Sequence, residues 1–140
     1  MQLAPIIAHI KANCLALRQM GGAADLSALP DVGPTALPAA FVVPLEDHAR
    51  PNHLDTGISQ RVDSRFGVVF ALRNLRDGVG AAANDDLEAL RRAVKDALLG
   101  WMPPGADDVC IYGGGRVLQM NNQVLWYQDD FVTAYYERKV

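Results

Sequence analysis

The chain has 140 residues, half of them hydrophobic, which is typical of a single folded domain over residues 1–140 and argues against disorder. Thirteen basic and 16 acidic residues leave a net charge of −3, which gives no support to a surface made for nucleic acid. Lys11 interrupts the first apolar run, so no signal peptide is expected, and no stretch is long enough to span a membrane. Cys14 and Cys110 are expected to be buried thiols of a reducing compartment, with a disulfide left open as the alternative.

The first predicted element is a helix from Leu3 to Met20, stopped by Gly21-Gly22. Apolar residues at three- and four-residue spacing give it one buried stripe. The stripe consists of Leu3, Ile6, Ile7, Ile10, Cys14 and Leu17. The next residues, Gly21 to Pro38, are rich in Gly, Pro, Ala and Asp, and they predict a linker with one short turn around Ala24 to Leu29.

Two strands separated by a polar loop are predicted next. Ala39 to Leu45 is a short apolar run, which Pro44 would end or place at a sheet edge. The segment Glu46 to Gly57 is long for a hairpin loop, and such loops tend to carry function or lie disordered. Ile58 to Arg73 alternates polar and apolar residues and becomes apolar on both faces in its second half. It is therefore predicted to be the central strand, covered on both sides in that second half.

A second helix is predicted from Asp86 to Leu99. It follows a turn-rich connection from Asn74 to Asn84, and either Asn84 or Asp85 can cap its first turn. Gly100 is suited to its C-terminal cap.

The last third predicts a meander of three strands. Hairpin turns are expected at Gly113-Gly114-Gly115 and at Asn121-Asn122, because these residues tolerate positive φ. Asp129-Asp130 is expected to mark a bulge or bend, with the two side chains on opposite faces of the strand. The three strands are Val109 to Tyr112, Arg116 to Met120 and Gln123 to Glu137. The order α-β-β-α-β-β-β predicts an α+β fold, with two helices packed on a mostly antiparallel sheet.

The aromatic residues of the last strand favour contact with another subunit. Trp126 shares one face of the strand with Tyr136, and Tyr127 shares the other with Tyr135. Large rings on both faces exceed what one small core needs. Long strands also leave sheet edges, which oligomerisation can cover.

No residue pattern predicts catalysis, a metal or a cofactor. The nearest cluster is the loop set that could hold Zn²⁺ if the loop folded back on itself, but no established metal motif is present. It consists of Glu46, Asp47, His48, His53 and Asp55. A phosphate site at Gly113-Gly114-Gly115 would need a following helix N-terminus, whereas a strand follows. We therefore predict no catalytic, metal-binding or cofactor-binding residue.

Two runs of the chain resemble the tail terminator, or tail completion, proteins of tailed bacteriophages and prophages. These are RFGVVFALRNLRDGVGAAANDDLEALRRAVKDALLGWMPPGADD and YGGGRVLQMNNQVLWYQDDFVTAYY. The matching features are an Arg-Phe strand ending in Arg-Asn, a helix ending in Leu-Leu-Gly-Trp-x-Pro-Pro, and a closing strand of the form Trp-x-x-Asp-x-Phe-x-Thr-x-Tyr. The N-terminal helix and the Val-Val-Pro-Leu strand fit as well, so the resemblance covers nearly the whole chain.

The resemblance implies a structural role in the virion tail, for a protein made in the bacterial cytoplasm. Proteins of this family form a ring, usually a hexamer, on the head-proximal end of the tail tube. The ring ends tube polymerisation, and the head joins to it. The implied partners are further copies of the chain, the tail tube protein and a head-completion or neck protein. DNA passes only as cargo through the channel, and no membrane partner is implied.

By analogy, two segments are expected to contact the ring or the tube. The first is the polar loop, with Arg50, His53 and Asp55, and the second is the connection that carries Arg73 and Arg76. Two other functions stay open: a different head–tail joining or neck protein, and a small metal-dependent enzyme that uses His48, His53 and Asp55.

Overall fold

A computed structural model describes residues 1–29, 34, 36–73, 81–120 and 123–140, with the backbone alone for 81–83. Within this part, five strands form one sheet in the order β1-β2-β3-β5-β4. Only the β1–β2 pair is parallel, and the α+β class is confirmed. The elements are α1 (Ala4–Asn13), β1 (Gln19–Gly22), α2 (Ala23–Ser27), β2 (Ala39–Ala49), β3 (Ile58–Arg73), α3 (Ala81–Leu98), β4 (Ile111–Met120) and β5 (Val124–Lys139). The predicted order of elements was wrong in detail, because it did not contain β1 and α2.

The central strand β3 has the predicted bounds, Ile58–Arg73. It pairs antiparallel with β5 from end to end without a register shift, and with β2 on its other side. Every residue from Phe66 to Leu72 is buried, whereas the first half is largely half-exposed. The prediction that its second half is covered on both sides is confirmed.

Each face of this buried half carries its own apolar cluster. On one face, here called the helix face, α1 and α3 pack over the sheet, with Phe66 and Phe131 stacked at 5.8 Å between ring centroids. On the other, the far face, Leu26 of α2, Leu29 and Trp126 pack against a second cluster. The far-face core consists of Ala39, Phe41, Val69, Ala71 and Val124.

The N-terminal helix ends at Asn13, seven residues earlier than predicted. Cys14 and Leu17 continue the helical spacing, but they reach the same core from a chain that has left the helix. Gly21 then pairs with Phe41 in the parallel strand β1. A Cβ on Gly21 would lie 2.5 Å from the Asp25 carboxylate, which accepts a hydrogen bond from the Gly22 amide. The glycine pair therefore allows a strand to pass into α2, and the predicted helix stop was wrong.

Strand β2 runs to Ala49, beyond the predicted end at Leu45. The expected edge position of Pro44 is confirmed, because β1 pairs with β2 only as far as Val42. The pairing register with β3 shifts between Pro44 and Glu46, as at a β-bulge, and the pairing resumes after the shift. Four residues of the predicted loop thus belong to a strand.

The glycine triplet does not form a hairpin turn. It lies inside β4, a single strand where two were predicted. The extra residue opposite Asp129 and Asp130 sits in β4, between Tyr112 and Gly114, so β5 itself has no bulge there. Gly114 has φ +126°, the left-handed region that favours glycine. The predicted turn at Asn121-Asn122 lies outside the described residues.

Helix α3 begins at Ala81, five residues before the predicted start, so the two expected caps, Asn84 and Asp85, lie inside it. The rest of the predicted connection, 74–80, lies outside the described residues. Gly100 has φ +80° next to the helix end, as a C-terminal cap requires.

Both cysteines are free and buried, as expected. Burial raises the pKa of the Cys110 thiol to about 12 and also raises that of Cys14. Both therefore stay protonated and poorly nucleophilic near neutral pH.

Candidate assembly surface

Beyond the apolar clusters, β2, β3 and β5 continue as a three-stranded extension, here called the arm: residues 46–65 and 132–139. No residue of the arm belongs to either core cluster. Most of its side chains are polar, and polar contacts between them hold it in shape.

Ion pairs brace the far face of the arm. Arg50 donates from Nε to Asp63 at 2.8 Å, and Arg61 donates to Asp63 at 3.1 Å and to Asp108 at 2.8 Å. The hydrogen bond from Arg50 lowers the pKa of Asp63, and the bond from Arg61 lowers that of Asp108. Since these groups are partly exposed to solvent, each pair should contribute little to stability.

Hydrogen bonds brace the opposite side of the arm. The Asp47 carboxylate accepts from the Ser64 hydroxyl at 2.7 Å and from the Tyr135 hydroxyl at 3.0 Å. Burial, together with the bond to Asp47, raises the pKa of Tyr135. Asp47 thereby links all three strands on this side, whereas the far-face ion pairs link the end of β2 to β3 and β3 to the loop at Asp108.

The loop residues that were considered as a possible Zn²⁺ site do not come together. Asp47 points away from Glu46 and His48, since neighbouring residues of a strand face opposite sides of the sheet. Among the residues the structure describes, no three His, Cys, Asp or Glu side chains are grouped as metal ligands would be.

Asn52, which the sequence did not single out, organises the tip loop, residues 50–57. Its amide donates to the carbonyls of Leu54 at 3.0 Å and Gly57 at 3.1 Å, and its Oδ1 accepts from the Ser59 amide at 2.8 Å. The only available sequence signal was that Asn is a common turn former. Three predicted interface residues lie on this loop with exposed side chains: Arg50, His53 and Asp55.

The two predicted contact segments do not form one surface. Arg50 lies level with Arg61, to whose carbonyl its amide donates at 2.8 Å. Arg73 is at the far end of β3, twelve residues on and thus roughly 40 Å away. Arg76 lies outside the described residues.

The Asp129-Asp130 pair anchors the edge strand β4 from both faces of the sheet. On the helix face, Asp129 is fully buried and accepts from Arg91 Nε at 2.9 Å, from Arg91 Nη2 at 3.1 Å and from the Tyr112 hydroxyl at 2.8 Å. Burial, with the bond to Asp129, raises the pKa of Tyr112, and Asp129 raises that of Arg91. This cluster ties α3 to both β5 and β4.

On the far face, Asp130 accepts from Arg65 at 3.2 Å, from Arg116 of β4 at 3.4 Å and from Gln128 at 2.7 Å. The two aspartates therefore face opposite sides of β5, as predicted. A Cβ on Gly115 would overlap Asp129 and lie 2.7 Å from the Tyr112 hydroxyl. The glycine thus lets β4 lie closely against its anchors, a use that no local pattern indicates.

Strand β4 is the long, open edge of the sheet. This strand of ten residues pairs with β5 on one side, with register shifts at Gly113 and Leu118, and among the described residues nothing pairs with its outer side. Large apolar side chains are exposed along it, Met120 by 62% and Ile111 by 58%. The other edge strand, β1, has four residues. A long apolar edge invites another strand to pair with it.

Together these features define a small α+β protein suited to assembly, with a firmly anchored open edge and a braced, charged arm. A family model described as "Phage tail terminator protein" matches residues 1–139, so the chain belongs to this family, as its resemblance indicated. A comparison with curated proteins gave no match. The chain is a structural protein of the phage tail. No helix in the described ranges is long and apolar enough to cross a bilayer.

Proposed function

We propose that this protein forms a ring, most simply a hexamer, on the head-proximal end of the tail tube, where it ends tube growth and provides the head-joining surface. The observation that carries the proposal is the family match over residues 1–139. The open, anchored edge of β4 supports it, because a ring needs strong lateral contacts between copies. Its partners are then other copies, the tube protein and a head-completion or neck protein, with DNA as cargo.

A ring on a tube needs axial as well as lateral contacts. The arm suits the axial role, because its ion pairs and hydrogen bonds hold the exposed tip loop away from the apolar core. We therefore propose that Arg50, His53 and Asp55 contact the tube or the neck. Arg73, at the other end of β3, remains a proposed contact of a different surface, and Arg76 remains a proposed contact that lies outside the described residues.

The test is tube growth with and without the purified protein. We expect rings at one end of each tube by electron microscopy, and a shorter, narrower distribution of tube lengths. Native mass spectrometry of the tube-bound form should give the copy number. Unchanged tube lengths, with no protein bound to tube ends, would contradict the proposal. Binding to isolated head connectors but not to tubes would favour the neck-protein alternative.

A further inference from the structure

The edge strand β4 has a complementary free edge elsewhere on the same molecule. Strand β1 covers the outer side of β2 only from Ala39 to Val42. From Val43 to Ala49, no strand pairs with the outer side of β2 in the part of the chain that the structure describes. Pro44 removes one donor, which leaves 45–49 as the segment best able to pair.

We propose that β4 of one copy pairs with the 43–49 edge of β2 in the next copy, so that the sheet continues around the ring. The inference rests on the proposed ring. Within the sheet, β4 runs antiparallel to β2, because β2–β3, β3–β5 and β5–β4 are all antiparallel. A neighbour related by rotation would therefore offer β2 to β4 in the antiparallel sense, the commoner strand pairing in proteins.

Charge complements this pairing. Strand β4 carries one charged residue, Arg116, whose side chain is 55% exposed, and no acidic residue. The β2 edge carries Glu46 and Asp47 and no Lys or Arg. Glu46 pairs across to Arg65, on the same far face as Arg116. A continuous sheet would thus place Arg116 and Glu46 on one face, with opposite charges.

Apolar surface complements it on the helix face. Val117 and Met120, 52% and 62% exposed, lie on the helix face of β4, opposite Tyr127 and Leu125 of β5. Beside the β2 edge, on the same face, is a groove of about 330 Å³. Its lining is apolar at Met1, Leu3, Pro44, Leu45 and Phe66 and polar at Glu46, Asp47, Ser64 and Arg65. An apolar side chain from the neighbouring β4 would therefore leave water on the apolar side of this groove only.

A β4–β4 contact is disfavoured on the same grounds. It would bring two copies of Arg116 together, and an isologous pair closes as a dimer rather than a ring. Two different patches on one chain, in contrast, give a head-to-tail contact, which forms a closed ring when the rotation between neighbouring copies closes.

The first experiment is photo-crosslinking in tube-bound assemblies. A photoreactive amino acid replaces Leu118, which is 45% exposed on β4, and mass spectrometry maps the product. We expect cross-links to residues 43–49 of a second copy. The matched control carries the same group at Lys11, an exposed residue of α1, and should give no such product. Cross-links from Leu118 to β4 of another copy, or only to the tube protein, would overturn the inference.

A charge swap provides the second test. Glu46→Arg and Arg116→Glu should each weaken assembly by about tenfold, and the double variant should recover most of it, as opposite charges on one face of neighbouring strands predict. Arg92→Glu makes the same charge change on α3 and should assemble normally. Thermal unfolding of each variant checks that the monomer still folds.

The outcomes separate the inference from the proposed function. If rings form normally in both single variants, or if the double variant recovers nothing, the edge pairing is wrong while the ring stands. If the unaltered protein forms no ring on tubes, the proposed function fails, and the edge pairing fails with it.

Discussion

The two halves of β3 show two ways of holding the same strand. From Phe66 to Leu72 the strand is buried on both faces by apolar clusters, whereas from Ile58 to Arg65 polar contacts hold it. Apolar burial contributes most of the stability of a domain, and partly exposed ion pairs contribute little but fix geometry. The difference teaches that stability and shape for assembly lie in separate halves of one strand.

The largest expected loss of stability comes from a substitution in the buried half of β3. Phe66→Ala removes a fully buried ring that stacks on Phe131, and should lower the free energy of unfolding by about 3–5 kcal/mol. Chemical denaturation measures it. Arg61→Gln, in the polar half, is the comparison and should lose far less. An equal loss in both variants would break the distinction between the halves.

Next is the buried anchor of β4. Arg91→Met leaves the fully buried Asp129 without its ion-pair partner, and should cost about 3 kcal/mol. The exposed neighbour Arg92→Met is the matched control, because its pair with Asp96 is on the helix surface. A similar small loss for both arginines in chemical denaturation would show that the anchor does not stabilise the fold.

The glycine under the anchor should tolerate no side chain. Gly115→Ala brings a methyl group onto Asp129 and the Tyr112 hydroxyl, and should cost about 1–3 kcal/mol, as overpacking does. Gly22→Ala is the control, because a Cβ there meets Ile7 at an ordinary 3.5 Å. Thermal unfolding compares the two, and equal melting temperatures would contradict close packing of β4 on its anchor.

In the arm, pH should have a small effect with a definite sign. The pKa of Asp63 is lowered, chiefly by Arg50, so the folded state favours the carboxylate. That stabilisation is complete above the unfolded pKa, near 4, and is lost as the pH falls through the folded value. The stability difference between the wild type and Asp63→Asn, below about 1 kcal/mol, should therefore shrink in acid. When Arg50 is also replaced by Gln, the stability difference due to Asp63→Asn should be smaller at every pH. A stability difference that grows as the pH falls would contradict the predicted direction.

The smallest stability effect is expected at the tip loop. His53→Ala and Asp55→Ala should each change the free energy of unfolding by less than about 0.5 kcal/mol, because both side chains are exposed. Under the proposed axial contact, they should nevertheless reduce binding to tube ends in a pull-down assay. Lys11→Ala, which changes an exposed residue of α1, is the control for a surface substitution outside the arm. Normal tube binding by both loop variants would remove the arm tip from the interface.

Much of the fold could be predicted where it depends on local pattern. The bounds of β3 follow from alternation along the strand, and the opposite orientations of Asp129 and Asp130 follow from strand geometry. The family could be recognised because its landmarks are spread over most of the chain. The ends of α1 and α3 were misplaced, because apolar spacing and capping residues also occur where the chain is not at a helix end.

What the tertiary structure alone decided is pairing between distant residues. Gly21-Gly22 is a strand because Phe41-Val42 lies beside it, and the glycine triplet is a strand because β5 and its anchors hold it. The hydrogen bond between Arg91 and Asp129 joins residues 38 positions apart, so no local spacing predicts it. Local sequence determines which segments can form strands, whereas the neighbours available in the folded sheet decide which of them pair and which edge stays open.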